Sequence, residues 1–460
     1  MSQLKLFINF REILNIITFI LYIILGSILI LSLFNLALSI TLYISFLILV
    51  PVLEFSVGST SINYQFSAII IFLIFTWLAK NHYSYIFDNA ILKPFMFLYL
   101  SLLLLSLSTS YTPLQFQITK WISAIVKTCI PAYILWNVCR LDRKALVYLT
   151  YGLIASLTIA NIYGIFLSLH DGSNPYTSYL SQQFGEMDSA TIYSMLPARL
   201  SFLPAAKIQS TMMHPVTWAL VLCFSLVFLV SLYIKEKKKY YLILIVMSFV
   251  NLVISGVRTG LIALLFTFLI AILMARDINK ICLVIVITIC SLGFIIFNTN
   301  DNMLGNVLAF TSFSEMRDTD MMQGSSPLMR LRQFNGALHE ISGCLFNGKG
   351  FAWNRYYTSI RGNHPILIAF ESLLFVIIVN SGMFGIFVWL VFILLLFQLP
   401  RKILNRKQDI LLIDSLINMY LIFSIGTGEY GNIQYFAIFY AYLLCFMLNN
   451  KLTVNSQKEI

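Results

Sequence analysis

The sequence predicts an all-α integral membrane protein, a polytopic bundle of about 12–13 membrane-spanning helices. Hydrophobic residues make up 59% of the chain and charged residues only 11%, whereas a soluble domain carries about 25% charged residues. Long apolar runs with few charges recur along the whole chain, and such runs are typical of spanning helices. The alternating pattern of a membrane β-barrel is not seen.

The apolar runs define the order of the spans. The run 366–398 is longer than one span needs. It is therefore either one tilted helix or a half-helix followed by a span, with Ser381 and Gly382 at the break. The predicted spans are 13–32, 33–53, 66–79, 91–109, 118–136, 146–167, 212–234, 240–256, 260–275, 281–297, 366–398, 410–427 and 433–449.

The positions of lysine and arginine predict the orientation of the spans. Short basic loops lie in the cytoplasm, and all the basic clusters fall on one side of the predicted bundle. The net charge of +11 is therefore a topology signal, and no nucleic-acid partner is expected. The clusters are Arg140, Arg143 and Lys144; Lys235, Lys237, Lys238 and Lys239; Arg276 and Lys280; Arg401, Lys402, Arg406 and Lys407; and the tail with Lys451 and Lys458.

The N-terminal segment gives conflicting signals. Lys5 and Arg11 favour a cytoplasmic N-terminus, but two helices within 13–53 place it on the opposite side. Either this stretch holds one span and a re-entrant piece, or a later span is misassigned. The apolar run is too long for a cleavable signal peptide.

Two long segments, 168–211 and 298–365, fall on the outer side and are expected to form folded periplasmic loops over the membrane body. Loops of this length are usually functional or disordered, and neither segment is low in complexity or highly charged. Among the seven cysteines, no spacing indicates a metal site. No metal or cofactor is predicted.

The stretch 327–342 in the second loop has the spacing of an amphipathic helix. Two interpretations stay open: a helix on the membrane surface with a wet polar face, or a lid whose polar face borders a cavity. The apolar stripe holds Leu331, Phe334, Leu338 and Ile341, and the polar stripe holds Arg332, Asn335 and His339.

The stretch SGVRTG places an arginine between two apolar runs, at the outer edge of the bundle. Gly256 and Gly260 permit a tight turn there. A charged side chain near the membrane edge is costly unless it faces the protein interior and a partner. The alternative interpretation is an arginine whose side chain snorkels to the lipid headgroups. Ser255 and Thr259 add hydroxyl donors, and the planar guanidinium of Arg258 suits phosphate. We therefore predict a phosphate site at this turn.

The motifs around this arginine resemble those of the O-antigen polymerase and ligase superfamily. The chain carries SGVRTGLIALL, then an outer-loop run RLRQFNGALHEISGCLFNGKGF, then NHP and ESLLFVIIVNSGMFG. The resemblance covers about 200–400 by motif and the whole chain by topology. It is more similar to Wzy polymerases than to WaaL ligases, because His364 is followed by Pro365 and the next glycine is Gly382.

The resemblance implies a metal-independent glycosyltransferase of the GT-C type at the periplasmic face of the bacterial inner membrane. Such enzymes transfer a glycan from undecaprenyl pyrophosphate to the hydroxyl of an acceptor sugar. A polymerase uses another carrier-linked repeat unit as acceptor, in lipopolysaccharide biosynthesis, and a ligase uses lipid A–core. The implied partners are the carrier-linked oligosaccharide, membrane lipids and a chain-length regulator of the Wzz type.

The resemblance also assigns arginines to the pyrophosphate. The family's membrane-edge arginine falls on Arg258, and its loop arginine falls on Arg332 or on Arg330. The spacing from Arg332 to Gly343 fits the RX10G motif of polymerases.

A third basic position precedes a His-Pro turn in the family pattern. Here Lys207 replaces the arginine, unless Arg199 serves instead. A lysine offers phosphate a point charge without the planar fork. His214 in this turn either caps the helix that follows or titrates.

An acceptor hydroxyl is a weak nucleophile and is helped by a base. Glu371 and His364 are the candidate catalytic pair, and they share one face if both are helical. Alternatively, Glu371 forms a structural ion pair with Arg258 or Arg361, and His364 is an exposed loop residue.

Another outer turn, GTGEYGN, holds Glu429 and Tyr430. These two residues either line the same cavity or belong to a simple turn between helices.

A rival class is a non-enzymatic flippase or transporter of lipid-linked oligosaccharides. Such a protein is expected to carry charges deep in several spans, pseudo-symmetric halves and short outer loops. The sequence shows two long outer segments and charge near the outer edge instead. A structural scaffold gives no reason for arginines clustered at that face.

Overall fold

The computed structural model describes residues 2–57, 60–82, 87–170, 173–184, 207–275, 327–362, 364–367, 370, 372–428 and 431–456. The predicted span 281–297 lies outside these residues, as do Arg276 and Lys280. The elements in chain order are α1 (Ser2–Phe34), α2 (Leu36–Leu49), β1 (Glu54–Val57), β2 (Thr60–Asn63), α3 (Ala68–His82), α4 (Leu92–Ser106), α5 (Leu114–Leu141), α6 (Arg143–Leu169), α7 (Pro175–Phe184), α8 (Pro215–Glu236), α9 (Tyr240–Ile254), α10 (Arg258–Ala275), α11 (Pro327–Glu340), α12 (Trp353–Arg361), α13 (Leu373–Ile403), α14 (Lys407–Thr427) and α15 (Ile433–Ser456).

Among the described helices, six are long and apolar enough to cross a membrane: α1, α5, α6, α8, α13 and α14. The shorter apolar helices, of 10–17 residues, include α2, α4, α9, α10 and α15. The chain is therefore an α-helical membrane protein, as predicted from its composition. The number of helices that cross the bilayer stays a prediction.

The two ends of the bundle differ: basic clusters lie at one end, and short strands and helices lie over the other. At one end, called here the basic end, Lys235 on α8 pairs with Asp409 on α14 at 2.5 Å, and Arg140 on α5 pairs with Asp88. The three described basic clusters share this end. The opposite end, called here the loop end, carries β1, β2, α7, α11 and α12.

The packing of α1 bears on one part of the N-terminal conflict, whether 13–53 holds two separate helices. The hydroxyl of Tyr22 donates to the carbonyl of Glu54, at the loop end, at 2.6 Å, and α1 then runs to Phe34 before α2 returns. Two separate helices are therefore present, and the start of α1 lies on the loop-end side. Lys5 and Arg11 favour the cytoplasmic side, and which side of the membrane this segment faces stays a prediction.

The core of the bundle lies between α5, α8, α14 and α15. Trp136, Trp218 and Tyr440 are fully buried there. The hydroxyls of Thr150 on α6 and Tyr442 on α15 lie 2.6 Å apart. Hydrogen bonds between helices in an apolar surrounding add directional contacts to the packing.

The helix α13 is broken at Gly382, the position predicted from the sequence, where φ is 61° and ψ is −156°. The backbone groups freed by the break pair with the loop 344–350, as buried backbone groups must. The hydrogen bonds run from Lys349 N to Val379 O (2.8 Å), Gly350 N to Asn380 O (2.9 Å), Met383 N to Leu345 O (3.0 Å) and Phe384 N to Phe346 O (3.0 Å).

The stretch 327–342 contains α11, as its spacing predicts. Three residues of the apolar stripe, Phe334, Leu338 and Ile341, belong to the small core under this helix or pack against it, whereas the fourth, Leu331, is 56% exposed. The polar stripe is exposed and contributes no residue to the cavity described below or to a smaller one lined by 108–111 and 343–347, which supports the wet surface helix over the lid. Its members are Arg332, Asn335 and His339.

The hairpin of β1 and β2 is a feature that the sequence did not predict. The strands are antiparallel and pair Glu54 with Asn63. The predicted span 33–53 extends too far, because α2 ends at Leu49 and Pro51 follows, which has no N–H to continue a helix. The hairpin lies at the loop end, beside the site described next.

Candidate anion-binding site at the loop end

A cavity of about 400 Å³ opens at the loop end between α4, α5, α12 and the first half of α13. The turn before α8 and the start of α15 complete its wall. Three cations line it: Lys120 and Lys127 on α5 and Arg355 on α12. Lys120 also lies over the ring of Phe116, at 5.2 Å from the centroid.

Helical geometry explains why α5 presents both lysines. Residues seven apart lie on one face of a helix, two turns from each other. Lys120 and Lys127 therefore share the cavity face with Ser123, Ala124 and Thr128, which also line it. An apolar helix that carries two lysines on one face needs an aqueous or anionic neighbour for that face.

Apart from these three cations, the described lining is uncharged near pH 7 and mixes carboxamides, hydroxyls and aromatic rings with aliphatic side chains. Among the described lining residues there is no aspartate or glutamate. Carboxamides donate and accept hydrogen bonds, and aromatic rings offer flat apolar faces. The carboxamides are Asn63, Gln65, Asn354, Asn380, Asn432 and Gln434, and the aromatic residues are Tyr99, Phe351, Trp389 and Tyr435.

The SGVRTG turn forms a second basic position at the same end. Gly256 has a φ of +65°, and the Cγ of Lys207 would lie 3.3 Å from a Cβ placed there. The glycine therefore lets the side chain of Lys207 lie directly on the turn. Arg258 follows as the first residue of α10.

Arg258 is partly buried. Within the described part of the chain its guanidinium makes no hydrogen bond and no ion pair. A partly buried charge without a counter-charge is costly. This position therefore fits an anion better than a structural ion pair.

The turn is held in place by a buried polar contact between α6 and α9. Asn161 on α6 donates to the hydroxyl of Ser248 on α9 at 3.1 Å. Asn251 on α9 donates to the backbone carbonyl of Asn161, also at 3.1 Å. These bonds fix the last turn of α9, which leads directly to Ser255.

Arg330 reaches the same region from α11. Its Nη2 donates to the carbonyl of Gly426 at 3.1 Å, and a Cβ on Gly426 would lie 2.3 Å from the Cγ2 of Thr259. Arg330 therefore lies close to Thr259, the residue that follows Arg258 in α10. Three predicted phosphate ligands, Arg258, Lys207 and Arg330, therefore share one region of the loop end.

His214 connects this basic region with the cavity. It lines the cavity, and its Nδ1 accepts a hydrogen bond from the N–H of Val216 at 3.1 Å, as the N-cap of α8. Burial, and then the charge of Lys207, lower the pKa of His214 to about 4. The ring is therefore neutral near pH 7 and caps the helix, as one of the two sequence interpretations holds.

His364, a member of the predicted catalytic pair, lies in a buried turn away from the cavity. It is 5% exposed, not an exposed loop residue. Its Nδ1 accepts from the N–H groups of Ile366 and Leu367, at 3.2 and 3.0 Å, and its Nε2 lies 3.5 Å from Glu340. Both ring nitrogens are engaged, the residue lies in a turn, and it does not line the cavity. We therefore do not retain His364 as a candidate base.

The ion pair beside His364 ties the loop-end elements together. The Nζ of Lys349 lies 2.5 Å from Glu340 and 4.6 Å from the centroid of Trp353. Burial raises the pKa of Glu340, but the hydrogen bond and charge of Lys349, with His364, outweigh it and hold that pKa below its usual 4.5. This pair joins α11 to the loop that closes the break in α13.

The other predicted site residues divide into two groups. Arg332 and Arg361 are exposed, and Arg361 lies over the ring of Tyr357, at 5.7 Å from the centroid. Neither lines a described cavity. The remaining predictions fall outside the described residues: Arg199, Glu371, Glu429 and Tyr430.

Sequence reasoning missed the three cations of the cavity. The signal for two of them was present, since Lys120 and Lys127 interrupt an apolar run at helical spacing, and a charge inside a span indicates a site by default. No comparable signal marked Arg355, which lies on a short helix of the second loop.

The fold and this site define a class: an α-helical membrane protein with a cationic, carboxamide-rich cavity at its loop end. No protein-family model matches the chain, and no curated protein matches it either.

Proposed function

We propose that the chain is an O-antigen polymerase, a glycosyltransferase that joins repeat units carried on undecaprenyl pyrophosphate. In this proposal the basic end faces the cytoplasm and the loop end faces the periplasm. The reaction forms a glycosidic bond to an acceptor hydroxyl and releases the carrier pyrophosphate as leaving group. A chain-length regulator of the Wzz type is a proposed partner.

The observation that carries this proposal is Arg258, a partly buried guanidinium with no protein counter-charge among the described residues. Lys207 lies on the same turn, with its Cγ 3.3 Å from the Cβ position of Gly256. Fixed cations in a partly dry site stabilise a departing anion more strongly than water does. We assign the pyrophosphate to Arg258 and Lys207, with Arg330 beside them.

The cavity supports the same reaction on the glycan side. His214 lines the cavity and lies close enough to Lys207 to feel its charge, so a glycan attached at the phosphate site extends past His214 into the cavity. Carboxamides and aromatic faces there suit the hydroxyls and the apolar faces of sugar rings. The proposed base stays Glu371, on the sequence argument alone.

The first test is a gel of surface lipopolysaccharide from a strain that lacks this gene. A ladder that collapses to lipid A–core with a single repeat unit supports the polymerase. Loss of all O-antigen from the core, with carrier-linked polymer accumulating, indicates the ligase instead. An unchanged ladder rejects both and leaves a transporter or another glycan pathway.

A further inference from the structure

We propose that Asn432, at the start of α15, binds two neighbouring hydroxyls of one sugar ring in the cavity. The chain then selects carrier-linked repeat units that carry such a hydroxyl pair. This inference rests on the proposed function, and it adds a recognition residue and the chemical group that this residue recognises.

Asn432 occupies the N-cap position of α15, which begins at Ile433. Its backbone carbonyl accepts from the N–H groups of Tyr435 and Phe436, at 3.1 and 3.2 Å. An asparagine at this position usually also accepts, through its side chain, from the second or third N–H of the helix. The side chain of Asn432 does not: its Oδ1 and Nδ2 are both buried, and neither makes a hydrogen bond within the described part of the chain.

Other helices of the chain have the usual cap. The Oδ1 of Asn35 accepts from the N–H of Leu38 at 3.0 Å, and the Oδ1 of Asp142 accepts from the N–H of Lys144 at 2.8 Å. The carboxamide of Asn432 lies at the equivalent position and is not held by its own helix. Capping of α15 therefore does not explain the asparagine.

The cavity is the surface at which Asn432 meets a ligand. The residue is 1% exposed and belongs to the cavity wall. Buried amides almost always have a polar partner, and a buried amide without one lowers stability. A polar group that enters the cavity removes that cost.

Three other asparagines of the wall have partners in the protein. The Nδ2 of Asn380 donates to the Oδ1 of Asn354 at 3.1 Å, and the N–H of Asn354 donates to the Oδ1 of Asn380, also at 3.1 Å. The Oδ1 of Asn63 accepts from the N–H of Gln65 at 3.0 Å. These contacts give the three residues a structural role, which the side chain of Asn432 lacks.

The chemistry of a carboxamide selects the kind of ligand group. A carboxamide places N–H donors and a carbonyl acceptor side by side. Two hydroxyls on adjacent carbons of a sugar ring match it, since one accepts from Nδ2 while the other donates to Oδ1. A carboxylate only accepts and an ammonium only donates, so neither group satisfies both atoms.

The turn after α14 joins Asn432 to the phosphate region. The carbonyl of Gly426 accepts from the Nη2 of Arg330 at 3.1 Å, and Asn432 follows six residues later. Six residues of chain span at most about 20 Å. A repeat unit of a few sugar rings covers such a distance, so one ring reaches Asn432 while the pyrophosphate lies at Arg258.

The first measurement compares the melting temperatures of two alanine variants, as purified full chains in detergent. Asn35→Ala removes a cap that is hydrogen-bonded, and its melting temperature should fall by about 1–2 °C. Asn432→Ala removes no hydrogen bond of the side chain, so its melting temperature should not fall. An equal fall in the two variants would give Asn432 a structural role and reject the inference.

The second measurement titrates the full chain in lipid nanodiscs with the oligosaccharide that mild acid releases from the lipid carriers of the deletion strain. The matched probe is the same oligosaccharide after periodate cleavage and borohydride reduction, which open every ring with adjacent hydroxyls. We expect the intact probe to bind at least ten-fold more tightly. Asn432→Ala should lose this preference, whereas Asn405→Ala, exposed at the basic end, should keep it.

Two binding results would overturn the inference. One is equal affinity of the wild type for the two probes, a comparison that needs no variant. The other is Asn432→Ala that binds the intact probe as tightly as the wild type.

The outcome is distinguishable from that of the proposed function. An intact lipopolysaccharide ladder in the deletion strain, together with a preference for the intact probe that Asn432→Ala loses, supports the sugar site and rejects the polymerase. A collapsed ladder together with equal binding of the two probes keeps the polymerase and rejects the role of Asn432.

Discussion

Gly348 and Gly382 face each other at the break in α13. Both have positive φ, +64° and +61°. A Cβ on Gly348 would lie 2.5 Å from the backbone nitrogen of Ser381, and a Cβ on Gly382 would lie 2.5 Å from the carbonyl oxygen of Phe346. The two backbones touch there because neither residue has a side chain. This contact allows the loop 344–350 to satisfy the backbone groups that the break leaves open.

We expect Gly382→Ala to destabilise the protein by several kcal/mol, since it adds both a clash with the loop backbone and an unfavourable backbone conformation. The measurement is thermal unfolding in detergent micelles. Because Asn380 beside the break lines the cavity, ligand binding should weaken as well.

The matched control is Gly362→Ala. Gly362 has a φ of +74°, and nothing lies within 4 Å of its Cβ position. This variant keeps the conformational cost, about 1–3 kcal/mol, without the clash. Equal losses in the two variants would show that the contact between Gly348 and Gly382 contributes nothing to stability.

Arg258→Ala should reduce glycan polymerisation about 100- to 1,000-fold, the usual effect of removing one group that stabilises developing negative charge. Arg258→Lys should recover part of the activity, because a point charge remains without the planar fork. The readout is the lipopolysaccharide ladder in a complemented deletion strain. Membrane level and thermal stability are measured in parallel.

The control for charge is Arg143→Ala, an exposed arginine at the basic end, which should leave the ladder unchanged. A wild-type ladder from Arg258→Ala, with the protein present at normal level, would remove the phosphate site from the proposal.

The lowered pKa of His214 predicts that the stability of the folded chain depends on pH. Its pKa is about 4 in the folded chain, against 6.5 for an ordinary histidine. Between pH 6.5 and 4 this histidine is mostly protonated in the unfolded chain and mostly neutral in the folded chain. The free energy of unfolding therefore keeps its full value above pH 6.5 and decreases as the pH falls towards 4. We expect the melting temperature to fall by a few degrees across this window.

The variant His214→Asn isolates this effect, since asparagine also caps helices and does not titrate. Its melting temperature should depend less on pH between 6.5 and 4 than that of the wild type. Identical pH profiles for the two proteins would show that His214 is not the titrating group.

Glu340→Gln should lower the free energy of unfolding by about 3 kcal/mol, because the ammonium of Lys349 then loses its carboxylate partner. Lys349 is only 14% exposed, so water compensates little for that loss. The double variant with Lys349→Gln should lose less than the sum of the single losses, since it removes both charges together. Thermal unfolding of the four proteins measures the coupling. Additive losses would mean that the pair contributes no coupling energy.

Residues whose role depends on local spacing were predictable from the sequence. Hydrophobicity and helical period identified the apolar helices, and the Ser-Gly pair marked the break in α13. The turn at Gly256 was also predictable, because a glycine with an arginine two residues later indicates a bend at a charged position. These features depend on neighbours a few residues away, and such neighbours are visible in any sequence.

Residues whose role depends on distant partners were not predictable. His364 looked like a base because it precedes an apolar run, but Glu340, from another helix, engages it. The sequence signals for α1 conflicted, and only the contact of Tyr22 with the carbonyl of Glu54 places this helix against β1. Arg355 carried no signal, because only the fold brings α12 beside α5.

The sequence by itself therefore determined that this is a helical membrane protein with basic residues gathered at one end, since hydrophobic length and charge act locally on every helix. Only the tertiary structure decided which polar side chains meet. A helical period says that Lys120 and Lys127 share a face, but it does not say what that face borders. The packing of α4, α12 and α13 around α5 makes that face the wall of a cavity.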